Sequence, residues 1–144
     1  MTTITRSALV KYSPQQMFDL VNDVEAYPQF LPWCRGSRII SSNDRVICAA
    51  LDIAKGGIHH EFSTRNMLIP NESIRIELID GPFRHLEGHW QFSPIGENQG
   101  CRVQLDMDFE FSTRLLDLAL GPVFTQISGS LVEAFCKRAR EMYG

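Results

Sequence analysis

Apolar and polar positions change period several times along this chain, and each change marks an element. Near the start, Ile4, Ala8, Val10 and Tyr12 share one side of an alternating run, which predicts a strand over residues 4–12. Ser13-Pro14-Gln15-Gln16 then reads as a helix start. Ser13 can cap, Pro14 presets φ in the first turn, and Gln16 can close a capping box. Met17, Val21 and Val24 recur at helical spacing, and Phe18 widens that face. Asn22 and Asp23 are expected to break the helix and cap a second short one through Tyr27. Pro28 and Pro32 are expected to stop it, leaving Phe30, Leu31 and Trp33 in a stiff apolar connection.

From Arg38 the period becomes two. Strands are predicted over 38–42, 45–54, 59–69, 74–80 and 84–93, with turns at Asn43-Asp44, Lys55-Gly56-Gly57, Pro70-Asn71 and Gly81-Pro82. A loop carrying Pro94, Gly96, Asn98 and Gly100 precedes the clearest strand. There Cys101, Val103, Leu105, Met107, Phe109 and Phe111 alternate with Arg102, Gln104, Asp106, Asp108 and Glu110, as a half-buried antiparallel strand requires. Helical spacing returns at the end, where Leu116, Leu120, Val123, Ile127, Leu131 and Phe135 form one stripe. Gly121-Pro122 sits inside that stripe. Proline costs about 3 kcal/mol within a regular helix, so a kink or two consecutive helices is expected.

The fold class is therefore α+β: one strand, two short helices, six strands in hairpins and a long C-terminal helix. A sheet with one apolar face must cover it, and the final helix is the element long and apolar enough to do so. A curved sheet wrapped on one helix leaves a gap where the two diverge, a natural apolar pocket.

Composition narrows the function classes a little. The chain has 144 residues, which suits one domain spanning 1–144, and 44% of them are hydrophobic, enough for a real core. The net charge of -3 gives no global field toward nucleic acid or acidic lipid, so any RNA contact has to come from a local patch. Met1 to Arg6 lack the basic start and apolar run of a signal peptide, and no apolar stretch approaches the roughly 20 residues of a bilayer span. Cys34, Cys48, Cys101 and Cys136 are far apart with no C-x-x-C pair, and read as buried free thiols in a reducing compartment. The expected location is the cytoplasm.

Several segments then carry a resemblance. Val21-Asn22-Asp23-Val24, Tyr27-Pro28-Gln29-Phe30-Leu31-Pro32 and Cys34 resemble the first helical segment of the coenzyme Q-binding START-like family. Phe62-Ser63-Thr64-Arg65-Asn66, Asp80-Gly81-Pro82-Phe83, Gly88-His89-Trp90-Gln91-Phe92 and Asp108-Phe109-Glu110-Phe111 resemble its later motifs, in the same order and over essentially the whole chain. The resemblance implies the helix-grip (START-like) fold, a curved antiparallel sheet of about seven strands on a long C-terminal helix. It also implies two roles. Bacterial members bind the large ribosomal subunit and block its joining to the small one, as toxins. Mitochondrial relatives bind ubiquinone and support respiration. Neither role follows from composition or spacing.

Candidate chemistry is sparse. His85, Glu87 and His89 share one strand face, opposite Leu86, Gly88, Trp90 and Phe92, so they are expected to face solvent rather than form a metal cage. His59-His60-Glu61 follows a glycine turn, and neighbours in a strand point to opposite faces, which also argues against a metal site. There is no G-x-S-x-G and no Gly-rich phosphate loop. A polyketide cyclase on this fold would need buried polar groups, and either Thr64 with Asn66, or Arg65, looks inward. Asn66 is favoured, because an inward Arg needs a paired acid. The expectation is a non-enzymatic protein that requires no cofactor and no metal and does not bind DNA.

The expected cavity lining is Trp33, Phe62, Thr64, Asn66, Leu78, Phe83, Leu86, Trp90, Leu105, Met107, Phe109, Phe124, Ile127 and Leu131. Its mouth is placed at Gly81-Pro82-Phe83 or at the Pro28 to Trp33 connection. A ubiquinone-like polyprenyl lipid is the ligand that the resemblance suggests. Lys137, Arg138 and Arg140 sit in the last helical turns, where the helix dipole favours cations. They could also meet ribosomal RNA, as could Arg35, Arg38, Lys55 and Arg84 if they gather on one surface. The acidic stripe of Asp106, Asp108 and Glu110 would repel RNA.

Overall fold

The computed structural model describes residues 1–144, apart from the side chain of Ile58. Seven strands form one antiparallel sheet in the order β1-β7-β6-β5-β4-β3-β2, and two α-helices and a 3-10 helix complete the fold. The strands are β1 (Thr2–Val10), β2 (Cys34–Ser42), β3 (Val46–Lys55), β4 (Ile58–Ile69), β5 (Ser73–Asp80), β6 (Phe83–Pro94) and β7 (Cys101–Phe111). Helix α1 is Pro14–Asn22, the 3-10 helix is Val24–Gln29, and α2 is Arg114–Tyr143. The α+β class read from the pattern, and the helix-grip architecture that the resemblance implies, are the ones observed.

Local chemistry accounts for most boundaries. Ser13 caps α1 by accepting from the Gln16 amide at 3.1 Å, while Gln16 Oε1 accepts from the Ser13 amide at 2.9 Å, closing the capping box. In the β2–β3 turn, Asn43 Oδ1 accepts from the amides of Arg45 and Val46, so an Asx turn fixes the hairpin. Strand β7 alternates buried and half-buried or exposed positions throughout, with Leu105 and Phe109 at most 1% exposed.

Four expectations need correction. Strand β1 ends at Val10 rather than Tyr12, because Val10 pairs with Cys101 at the start of β7 and the ladder has no partner beyond it. Strand β2 begins at Cys34, four residues before the period-two signal. Register shifts between Cys34 and Gly36 and between Ile39 and Ser41 break the alternation that would have shown it. Asp23 occupies the cap position of the 3-10 helix without a side-chain cap bond, and Pro28 lies inside that helix rather than ending it. Finally, of the two outcomes expected at Gly121-Pro122, two consecutive helices are not seen: α2 is one helix through Pro122. Pro122 lies on the exposed side of the helix, where water can solvate the carbonyl it leaves unpaired.

The length and apolar content of α2 also amend the expectation about bilayer spans, since an 18-residue window of it would pass for one by composition alone. Here it is the core helix. Leu120, Phe124, Ile127, Val132 and Phe135 are all buried. The helix packs on β1, β7 and α1. Its backbone runs farther from β3 to β6, which it reaches through large side chains such as Phe124 and Phe135, and the cavity lies in that wider space.

Cys34, Cys101 and Cys136 are buried and Cys48 is half-buried, and all four are free thiols. Burial pushes the thiols of Cys34 and Cys101 up to about 11. At neutral pH they are protonated and poor nucleophiles.

Candidate functional site

Two hollows share Trp33 as a lining residue. The inner one is an apolar cavity of about 70 Å³ between α2 and the sheet. Of the residues expected to line it, Trp33, Phe62, Thr64, Asn66, Leu86, Trp90, Met107, Phe124, Ile127 and Leu131 do so. Leu78, Phe83, Leu105 and Phe109 do not. Leu105 and Phe109 are fully buried in the filled core instead, although Met107 between them on β7 reaches the cavity. Phe83 belongs to an aromatic cluster beside the cavity. Its ring stacks on Phe111 at 4.8 Å and meets Phe124 at 4.9 Å, and only about 20 Å³ is open around it. The space beside the Gly81-Pro82-Phe83 break is thus small, and it shares Ile53, Phe62, Phe124 and Ile127 with the cavity wall. Leu78 is half-buried near the end of β5.

The cavity wall also includes residues that the sequence reading did not single out, among them Tyr27, Ala49, Leu51, Ile53, Ser128 and Phe135. Ala49, Leu51 and Ile53 stand two apart on β3, so period two could have found them. Ser128 lies four residues after Phe124 and three before Leu131, on the buried stripe of α2, which makes it a polar residue where an apolar one is expected.

Polar groups in the cavity are few, and each has a definite state. Thr64 and Asn66 are inward and buried, with Thr64 Oγ1 donating to Asn66 Oδ1 at 2.9 Å. That bond leaves the Asn66 amide N–H groups free to donate. Arg65 points outward and pairs with Glu77 at 3.8 Å, as the cost of an inward unpaired charge dictates. The Tyr27 hydroxyl donates to the Val21 carbonyl, and burial drives its pKa far above the usual tyrosine value. Tyr27 is the only ionisable side chain among the described residues that line the cavity. A group so hard to ionise is a poor general base at neutral pH.

Ser128 is fully buried, and its hydroxyl has no hydrogen-bond partner among the described residues. An unsatisfied buried hydroxyl costs about 1–3 kcal/mol. Ser128→Ala is therefore expected to raise stability by about 1 kcal/mol, helped by the better helix propensity of alanine. Urea unfolding checks this, and a loss of 1 kcal/mol would show that the hydroxyl is satisfied in solution.

The outer hollow is a groove of about 610 Å³ between the last turns of α2 and the Gln29 to Trp33 segment. Lys55, Lys137, Arg138 and Arg140 line it together with Glu133 and Glu141, and Phe30, Leu31, Pro32 and Trp33 form its apolar wall. The Arg138 guanidinium lies over the Phe30 ring at 5.0 Å and donates to Gln29 Oε1 at 3.0 Å. The other expected cations lie elsewhere. Arg38 pairs with Glu61 at 3.2 Å, Arg84 pairs with Glu110 at 3.5 Å, and Arg35 is exposed on β2 outside the groove.

Trp33 belongs to both hollows, and so does the aromatic contact behind it. Phe135, on the cavity wall, meets Phe30 of the groove at 5.3 Å and Trp90 of the cavity at 5.4 Å. The Pro28 to Trp33 connection is thus the wall between inside and outside.

His59, His85 and His89 lie on the outer side of the sheet. His85 Nε2 is 3.8 Å from Glu87 Oε2, and His59 Nε2 is 2.5 Å from Asp52 Oδ1. His60 borders the small space near Phe83 instead, so the two adjacent histidines diverge.

Comparison with known proteins agrees with this geometry. The family described as polyketide cyclase / dehydrase and lipid transport matches residues 10–136. The ribosome association toxin RatA of Escherichia coli K12 is 49% identical over 143 residues, which cover 99% of this chain and 90% of that protein. The mitochondrial coenzyme Q-binding protein COQ10 homolog B of Xenopus laevis is 32% identical, over 97% of this chain and 59% of that one. The Zhui aromatase/cyclase from Streptomyces sp. R1128 superposes with a TM-score of 0.85 over 96% of this chain and 93% of its own. At 15% identity that likeness concerns the fold alone. The chain belongs to the START-like family of polyketide cyclases, dehydrases and lipid transporters, in the group that contains the RatA proteins.

Proposed function

We propose that this chain associates with the large ribosomal subunit and hinders its joining to the small one, making and breaking no covalent bond. The observation that carries the reading is the 49% identity, over 99% of the chain, to a protein named as a ribosome association toxin. The inner geometry supports it. A cavity of about 70 Å³ is several-fold below the roughly 300 Å³ at which ligand pockets begin, and the one ionisable group on its described wall is a tyrosine held protonated. An enzyme or a lipid carrier would need more room or more chemistry than that. Sucrose-gradient sedimentation of the purified chain with isolated subunits tests the proposal. Comigration with the large subunit and a smaller joined-ribosome peak are expected. A protein that stays at the top of the gradient at low salt refutes it.

A second reading has its own observation. Thr64, Asn66 and Ser128 place hydrogen-bonding groups in an otherwise apolar cavity, which suits the carbonyl head of a quinone such as ubiquinone. The likeness to a coenzyme Q-binding protein points the same way. The present volume requires lining side chains such as Met107 and Leu131 to move before a ring enters. Trp33 and Trp90 both face the cavity, so a short-chain ubiquinone analogue is expected to quench tryptophan fluorescence if it binds there. Unchanged fluorescence, together with a native mass free of added quinone, counts against lipid carriage.

A further inference from the structure

We infer that the groove between the last turns of α2 and the Gln29 to Trp33 segment is a docking site for an unpaired segment of ribosomal RNA. The inference rests on the ribosome-binding reading above and names the surface and the chemistry of its partner.

Charge is the first argument. The chain as a whole is negative, with a net charge of -3, yet Lys55, Lys137, Arg138 and Arg140 meet in one groove against Glu133 and Glu141. None of the four cations forms an ion pair among the described residues. Four cations against two carboxylates leave this one concave lining net positive on a chain that is net negative, and a polyanion is the partner that such a local excess favours.

Shape is the second. A duplex is too wide for a concave groove of about 610 Å³, but the phosphates and a splayed base of a single strand can enter it. The third argument is the order already imposed on Arg138. With the guanidinium over Phe30 and one N–H donated to Gln29, it is ordered before any partner arrives. Its remaining N–H groups suit a phosphate, and the half-buried Phe30 beside it offers an aromatic surface to a splayed base. An acidic protein segment would satisfy the charge but has no base to place on that surface.

The test uses the full chain and purified large subunits. Binding is measured by cosedimentation at stepped salt for the wild type, Lys137→Glu/Arg138→Glu, the milder Lys137→Gln/Arg138→Gln, and Arg102→Glu as a control on the outer face of β7. Circular dichroism melts establish that each variant is folded. Wild-type affinity is expected to fall steeply between about 50 and 200 mM salt, as phosphate contacts dictate. The charge reversal should weaken binding at least about tenfold, the neutral pair by less, and Arg102→Glu by under about twofold. Ultraviolet crosslinking of the complex should then leave a nucleotide on a peptide containing Phe30 to Trp33 or Lys137 to Arg140.

Groove variants that bind like the wild type would overturn the assignment of this surface and leave ribosome association standing. A crosslink to a ribosomal protein in place of RNA would overturn the partner chemistry. A wild-type chain that fails to bind subunits at all removes the functional reading itself, and this inference with it.

Discussion

Replacing Phe109 by alanine is expected to remove about 3–5 kcal/mol of stability, the usual cost of truncating a fully buried aromatic ring. The position explains why the upper part of that range applies. Phe109 is 1% exposed on β7, and its ring lies 4.7 Å from Phe124, 5.9 Å from Phe111 and 6.4 Å from Phe83. It therefore joins the sheet to α2 at the place where the two are in direct contact. Edge-to-face pairs of this kind add about 0.5–1.5 kcal/mol beyond buried area. The site cannot easily collapse, because the backbone on one side is locked in the β1–β7–β6 ladder. A domain of this size has about 5–15 kcal/mol in total, so the variant should be only marginally folded. Urea unfolding monitored by circular dichroism measures the loss, with Leu118→Ala as the comparison. Leu118 is 69% exposed, and its truncation should cost no more than about 0.5 kcal/mol. A loss below about 2 kcal/mol at Phe109 would mean that helix and sheet are not clamped there.

The same contrast shows what could be read from sequence. The inward face of β7 was legible because a strand paired on both sides follows strict period two, and the α1 boundary because Ser13, Pro14 and Gln16 each have one local task. These signals are local, and local physics settled them. Which inward residues border empty space was not legible. Leu105 and Met107 are both apolar and inward, two residues apart on one strand, yet Met107 reaches the cavity and Leu105 packs in the filled core. The difference comes from the divergence of α2 from the sheet, which no stretch of either element encodes alone. The cations show the same limit. Lys55 and Lys137 are far apart in sequence and meet only because the end of β3 lies beside the last turns of α2. Arg38 and Arg84 carry the same charge and face elsewhere.

The two hollows also bear on whether both proposed roles can belong to one protein. Trp33 lines both hollows, and Phe135 on the cavity wall meets Phe30 of the groove. A quinone that entered the cavity past these residues would act on the same wall that the groove uses. Ribosome binding measured with and without a saturating quinone analogue would reveal such coupling, which by linkage must be equal in both directions.

Gly100→Ala is expected to cost about 3 kcal/mol or more, from two sources that a control can separate. Gly100 has φ +129, a conformation that an L-residue rarely adopts, and a Cβ there would stand 2.0 Å from the Val10 carbonyl oxygen and 3.0 Å from its carbon. Backbone strain alone costs about 1–3 kcal/mol. The clash adds an overpacking term of about 1–3 kcal/mol, because the obstructing atoms are main chain and cannot rotate away. Relief would require β1 to move. β1 is an edge strand whose one neighbour is β7, and Val10 pairs with Cys101, the residue directly after Gly100. Gly56→Ala supplies the control. Its φ is +61, and nothing lies within 4 Å of the added Cβ, so it carries strain without the clash. The expected result is a loss at Gly100 larger than that at Gly56 by at least about 1 kcal/mol, with amide exchange accelerated at the Val10 end of β1. Equal losses at the two glycines would mean that the loop before β7 can swing away from β1. The close approach of that loop to Val10 would then be no structural constraint.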